Sequence, residues 1–383
     1  MINIVSLDKC NNYEYSKVKD SILKSFDNLG GIEKYINKKD RVLLKLNLVI
    51  KKSPDKAATT HPTFVKALAE VLIEYGAEVI IGDSPGGPFN KAILKSIYNT
   101  CQISNIAEET GAKLNFNTNS MQVSFPDGKL LKRLTVTQML EDVDKVISVS
   151  KLKTHCMMLF TGAVKNQFGI IPGSLKSEYH FKMPEVKDFA DALVDICLYA
   201  NPVLSFMDGI VGMEGDGPTS GNPRQIGAVI ASNSPYHLDV VASSIINIDA
   251  KKIPTINSCI NRGICSGSLD DIKLVGDNID DFMIKDFKMP IIRCVDFVSD
   301  RFPQFVSSLC NKLLQPKPIF IHDDCTGCGK CANSCPPKII EMKDNRPVVD
   351  LDNCIRCFCC HELCPKKAIE IYRPPLMRLL SKL

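Results

Sequence analysis

Two cysteine runs constrain this chain more than any other feature. CTGCGKCANSCPP opens at Cys325 and CIRCFCCHELCPK opens at Cys354, 29 residues later; each reads C-x2-C-x2-C-x3-C-P. Within a run the first three cysteines lie close enough to hold one face of a cubane, and the fourth precedes a proline that ends the turn. Four-cysteine sites also bind zinc, but two consecutive runs of this spacing suit 4Fe–4S clusters much better. The runs are followed by PPKIIEM and PKKAIEI, an internal repeat that predicts a short helix and a strand after each. Cys359, beside Cys360, is an extra cysteine that could swap in as a ligand but reads better as a bystander.

Residues 316–372 resemble the bacterial two-cluster ferredoxin, a small α+β unit. In that family the fourth cysteine of each run ligates the other cluster. The resemblance therefore implies one cluster on Cys325, Cys328, Cys331 and Cys364, and a second on Cys354, Cys357, Cys360 and Cys335. Such clusters pass one electron at a time, and a pair can hold two.

The remaining nine of the 17 cysteines are scattered, a pattern that suits a reducing compartment better than a disulfide framework. The apolar fraction (45%) and charged fraction (23%) are ordinary for a globular chain. No run approaches the length of a membrane span, and MINIVSLDKC does not read as a signal peptide. The expectation is a cytoplasmic protein without a transmembrane segment. The formal charge of +4 counts the cysteines as neutral; two oxidised clusters with their thiolates, each about −2, bring it to roughly zero. Neither this charge nor any aromatic-and-basic pattern points to nucleic acid.

Before the clusters, strand-like and helix-like segments alternate, which predicts an α/β domain over 1–287 with a mostly parallel sheet flanked by helices. RVLLKLNLV (41–49) is nearly all apolar, as a strand buried on both faces must be. A helix is expected from Thr60 to Gly76, with Pro62 in its first turn. Further strands are expected at AEVIIGD, DKVISVSKLKTH, PVLSFMDG, RQIGAVIAS and IKLVG, with helices over 89–110, 185–200 and 237–248. MQVSFPDGKLLKRLTV reads as a hairpin, and TQMLEDV as a short helix. A connector over 288–315 reads as helical, and the tail 373–383 as basic and amphipathic.

Several of these strands become polar at their carboxyl ends. In VISVSKLKTH, Ile147 and Val149 are followed two residues apart by Lys151, Lys153 and His155. Leu43 gives way to Lys45 and Asn47; AEVIIGD ends at Asp83, followed by Ser84; VLSFMDG ends at Asp208. Open α/β sheets bind ligands outside the carboxyl ends of their strands, so these residues are expected to converge on one crevice. TGAVKNQFGIIPG (161–173), with Lys165 and Asn166, reads as a loop offering amides and an ammonium to an anion, with His180 just beyond. GIVGMEGDGPTSG (209–221) reads as a loop in which Glu214 and Asp216 could hydrogen-bond a substrate or ligate Mg²⁺. No dinucleotide or Walker fingerprint is present.

KLN (45–47), HPTFVKAL (61–68), GDSPGG (82–87), KLKTH (151–155), TGAVKNQFGIIPG and DGIVGMEGDGP (208–218) together resemble the domain of unknown function 362 family over about residues 40–250. That resemblance implies an α/β domain, often fused to a ferredoxin-like domain, in an iron–sulfur protein of anaerobic or facultative metabolism. It implies no particular reaction.

The expected function is an oxidoreductase that receives electrons from a low-potential donor, a ferredoxin or flavoprotein. Two 4Fe–4S clusters would pass them to an anionic small molecule. Lys151, Lys153 and Lys165 would hold the anion, with His155 or His180 as proton donor. Lys45, Asn47, Asp83, Ser84, Asn166, Asp208 and Glu214 would complete the substrate site. The alternative is an electron-transfer subunit that docks a partner redox protein and has no chemistry of its own.

Overall fold

A computed structural model describes residues 3–290 and 316–374. The expected helical connector, from residue 291 to 315, and the tail beyond residue 374 lie outside the described residues.

The chain opens with strand β1 (Asn3–Lys9) and helix α1 (Tyr15–Leu29). Then come β2 (Arg41–Lys45), α2 (Pro62–Tyr75), β3 (Glu78–Gly82), α3 (Lys91–Thr100), α4 (Ile103–Thr110) and β4 (Lys113–Leu114). A separate hairpin, β5 (Ser120–Ser124) with β6 (Arg133–Thr137), precedes the long β7 (Lys145–His155) and the short β8 (Leu159–Thr161). Helices α5 (Ala163–Asn166), α6 (Lys176–Lys182) and α7 (Val186–Ala200) lead to β9 (Leu204–Glu214) and β10 (Asn222–Ser232). Helices α8 (Pro235–Ile245) and α9 (Pro254–Asn261) then return the chain to β11 (Ile272–Gly276).

The main sheet has the order β11-β1-β10-β9-β7-β2-β3-β4, with β8 paired to β7. Every pairing along that order is parallel except those made by β10, which runs against β1 and β9. This is the expected mostly parallel sheet flanked by helices. Alternation along each strand feeds two cores. Val42, Leu44, Ile147, Val149 and Phe206 pack under α1 to α4, while Leu43 and Val146 pack with α7 and the hairpin.

Several local expectations change. The single helix over 89–110 is two, because Gln102 takes a left-handed φ of 61° between α3 and α4. TQMLEDV gives only a 3₁₀ turn at Gln138–Leu140. The expected helix start at Thr60 moves to Pro62, where the His61 side chain accepts from the Thr63 amide. GIVGME is not a loop; it continues β9 to Glu214. The 161–173 stretch is largely helical, through α5 and a 3₁₀ turn at Gln167–Ile170.

The C-terminal unit pairs β12 (Lys317–Phe320) with β15 (Ile369–Tyr372), and β13 (Ile340–Lys343) with β14 (Arg346–Val349). Its two short helices, Lys330–Ser334 and Cys359–Glu362, fall inside the cysteine runs rather than after them, each spanning the third cysteine. The repeat strands β13 and β15 follow as expected.

This unit sits on the carboxyl edge of the main sheet. Beyond β2, the Lys52 ammonium donates to the Pro365 carbonyl (3.4 Å). Beyond β7, Cys156 packs with Phe358 and Ile371. Beyond β9, the Thr219 hydroxyl donates to the Glu362 carbonyl (2.7 Å), Lys367 donates to the Ser220 carbonyl (3.1 Å), and Arg373 Nη1 bonds Asp216 (3.1 Å).

Candidate functional site

The floor of the site is built where β2 and β3 end. The Asp83 carboxylate accepts from Lys45 Nζ (2.8 Å), the Leu48 amide (2.7 Å) and the Ser84 amide (2.9 Å). Asn166 ties β2 to β7. Its Nδ2 donates to the Lys45 carbonyl (3.1 Å) and the Ser148 hydroxyl (3.0 Å), and its Oδ1 accepts from Lys45 (3.2 Å) and Asn47 (3.2 Å). Gly169 closes over this pair: a Cβ there would lie 2.1 Å from Asp83 Oδ1 and 2.3 Å from Lys45 Nζ. Burial pulls the Lys45 pKa down against the opposing pull of Asp83.

Helix α5 is held by Asp239, whose carboxylate accepts from the amides of Ala163 (2.6 Å) and Val164 (3.1 Å). Those amides are therefore engaged, and what the segment offers a ligand is the Lys165 ammonium. Lys165 has no hydrogen-bond acceptor or ion-pair partner among the described residues and lies 5.9 Å from the Phe168 ring centroid; burial pulls its pKa down against the opposing pull of the Glu362 carboxylate. Lys176 faces the same ring at 5.3 Å and donates to the Ser84 carbonyl. Burial brings its pKa down to about 8.

Above this floor lies a cavity of about 590 Å³, lined by Lys45, Asn47, Asp83, Lys165, Asn166 and His180 among the expected residues. Its roof comes from the cluster unit: Lys330 and Asn333 of the first run, and Cys359, Glu362, Leu363 and Pro365 of the second. Lys176, Phe168 and Glu362 were not singled out from the sequence. Lys176 and Phe168 lack any local pattern that marks a pocket wall. Glu362 is hidden among metal-ligand cysteines.

The other expected residues do not line this cavity. Parallel register sets Lys45 beside Ser148, so Lys151 projects to the opposite face, following Ile147 and Val149. There its ammonium pairs with Asp208 (2.7 Å) and Tyr13 (2.8 Å), fully buried. Asp208 also accepts from the Tyr13 hydroxyl (2.8 Å) and the His61 amide (3.0 Å). Lys153 donates to the Ala58 carbonyl, and burial lowers its pKa to about 7. Glu214 accepts from the Lys288 amide (3.1 Å), and the Ser84 side chain is buried without a partner among the described residues. With Asp83, Asp208, Glu214 and Asp216 each engaged by protein donors, they form no ready Mg²⁺ cage.

The histidines change role. His155 Nδ1 accepts from the amides of Met157 (3.0 Å) and Met158 (3.2 Å), and its Nε2 lies 3.7 Å from Glu362. Burial holds it well below the usual histidine pKa, so it is neutral near pH 7. His180, stacked on Phe189 at 4.2 Å, is pushed down to about 3 by burial and by Lys165 and Lys176. Neither can serve as an imidazolium donor at neutral pH.

This has a measurable consequence. His180 titrates at about 3 folded and about 6.5 unfolded. Below pH 6.5 the unfolded chain therefore binds a proton that the fold refuses, and stability falls as pH falls. Relative to His180→Gln, the wild type is expected to lose about 2 kcal/mol between pH 6.5 and 5 in anaerobic denaturant titrations. Parallel pH profiles for the two proteins would rule this out.

Cys325, Cys328, Cys331 and Cys364 line one small cavity with Met342 and Pro347. Cys335 and Cys360 each feel the charge of both Cys354 and Cys357. Both runs thus contribute to each neighbourhood, as the crossed ligation of a two-cluster ferredoxin would require.

Fold and site together define an α/β protein with an iron–sulfur unit seated over its sheet edge. The chain belongs to the domain of unknown function (DUF362) family, whose profile matches residues 42–244, and a 4Fe–4S dicluster domain matches residues 317–365. That domain binds 4Fe–4S clusters and gives the chain an electron-transfer role. A curated relative, the thylakoid-associated protein sll1697 of Synechocystis sp., is 31% identical over 262 residues, 67% of this chain and 78% of the relative. Among solved structures, the lactate racemase apoprotein of Thermoanaerobacterium thermosaccharolyticum matches at 13% identity and TM-score 0.40, covering 64% of this chain and 58% of that one. A Thermotoga maritima protein matches at 16% identity and TM-score 0.36, covering 59% and 57%. This chain thus spans less than two thirds of either solved protein. Among the described residues no helix is long and apolar enough to cross a membrane.

Proposed function

We propose that this chain is an iron–sulfur reductase that delivers electrons to an anionic small molecule bound in the roofed cavity. One observation carries it: the cavity has in its wall the Lys165 ammonium, without an ion-pair partner among the described residues, and in its roof the second cysteine run. Two 4Fe–4S clusters, one on each crossed cysteine set, would supply low-potential electrons singly. Reducing a C=C or C=O bond takes two electrons and two protons. Lys165 stabilises the negative charge that develops on the substrate. Lys176, with a pKa of about 8, is protonated at neutral pH and supplies one proton, the other coming from solvent. His180 orients the bound anion, and Lys45, Asn47, Asp83 and Asn166 hold the floor rigid. His155, Lys153, Lys151 and Asp208 support the strand ends behind it. A ferredoxin or flavoprotein in the reducing cytoplasm is the electron donor.

Lys165→Met tests this. The reduced variant should keep its thiolate-to-iron absorption, while its reoxidation by the small-molecule fraction of an anaerobic cell extract slows by roughly 100-fold or more. Lys165→Arg should recover part of the rate. Equal rates in wild type and Lys165→Met would rule out the cavity as the electron-accepting site.

A further inference from the structure

We propose that the cavity's ligand is an organic carboxylate with an apolar body, held head-first between Lys165 and Lys176. The proposal deepens the reductase function above and rests on the same cavity being the ligand site.

The head group follows from which polar groups are free. Lys45 is bound to Asp83, so the buried positive charge open to a ligand lies at Lys165 and Lys176, on the common Phe168 ring, while Lys51 and Lys330 add exposed charge to the lining and Glu362 adds a carboxylate. His180 is 5% exposed and its Nδ1 has no partner among the described residues. A phosphate would want a nest of backbone amides as well. The amides nearest the floor are already used: Ser84 donates to the Gly169 carbonyl (3.0 Å), Gly86 to Val49 (2.9 Å), and Ala163 and Val164 to Asp239. Two buried ammonium groups with the Glu362 carboxylate in the same lining match a singly charged carboxylate better than a dianionic phosphate.

The body follows from the rest of the lining. Val49, Ile50, Ile93, Ile97 and Leu363 form an apolar side running from the 49–51 segment across α3 to the roof. Ile93 is 38% exposed at the helix surface, unusual for so large an apolar side chain. An anion without an apolar portion would leave this side wet.

The test is calorimetric titration of the anaerobic holo-protein with butyrate, hexanoate, octanoate and inorganic phosphate. Affinity should rise by roughly fourfold per added methylene, with phosphate weaker than octanoate. Lys165→Met should weaken octanoate at least about tenfold. Ile93→Asn, at the surface, should weaken octanoate while leaving butyrate unchanged. Affinity independent of chain length, tighter binding of phosphate, or no binding of any probe would each overturn the proposal. Reoxidation separates it from electron delivery. If small molecules reoxidise the reduced protein but octanoate neither binds nor competes with them, the carboxylate assignment falls and the reductase stands. If octanoate binds as expected but no small molecule reoxidises the protein, the reductase falls and the binding site stands.

Discussion

Cys364→Ser is expected to yield a protein with about half the wild-type iron, falling from about eight atoms to about four. Cys364 belongs to the second run by sequence but lines the cavity formed by Cys325, Cys328 and Cys331 of the first. The decisive variant is the double, Cys325→Ser with Cys364→Ser. Two ligands of one cluster fail together, so the double should retain the same iron as either single. Ligands of different clusters would fail additively, and the double would hold almost none. Iron and sulfide counts on anaerobically purified protein distinguish the outcomes. Because cluster binding is coupled to folding in so small a unit, its half should also become protease-sensitive in both variants.

Asp208→Ala is expected to cost about 3–5 kcal/mol of stability, because it strands a buried ammonium. Lys151 and Asp208 are 1% and 0% exposed, and the carboxylate also serves the Tyr13 hydroxyl and the His61 amide. Replacing both partners, Lys151→Met with Asp208→Leu, removes the charges as well as the pair and should recover most of that loss. Denaturant titration of the three variants measures it. A cost below about 1 kcal/mol for Asp208→Ala would mean that water reaches the pair, and would return both residues to the substrate site.

How far the sequence could be read depended on whether the signal was local. The cysteine runs carry their chemistry in their spacing, and apolar β2 and β7 announce their double burial. The polar strand ends were legible too, and the cavity does lie at the carboxyl edge of the sheet. Their convergence was not, because it depends on inter-strand parity. Lys45 lies beside Ser148, one residue out of phase with Lys151, and nothing within either strand reveals that. β1 and α1 were missed because buried polar groups interrupt the apolar pattern. Ser6 donates to Asp8 (2.6 Å), which also accepts from Ser25 of α1 (2.8 Å). The extension of β9 was masked by its glycines, which read as turns. Gly209 and Gly212 are instead needed for close strand packing, since a Cβ on either would come within 2.9 Å of a neighbouring carbonyl or side chain. The roof of the cavity was illegible for a different reason: it comes from a unit more than 100 residues further along the chain.

The most direct measurement is to photoreduce the holo-protein without oxygen and follow its thiolate-to-iron absorption as cell extract is added, split into small-molecule and protein fractions. A reductase predicts recovery with the small-molecule fraction, lost in Lys165→Met. Recovery with the protein fraction alone would contradict it and make the chain a relay between redox proteins.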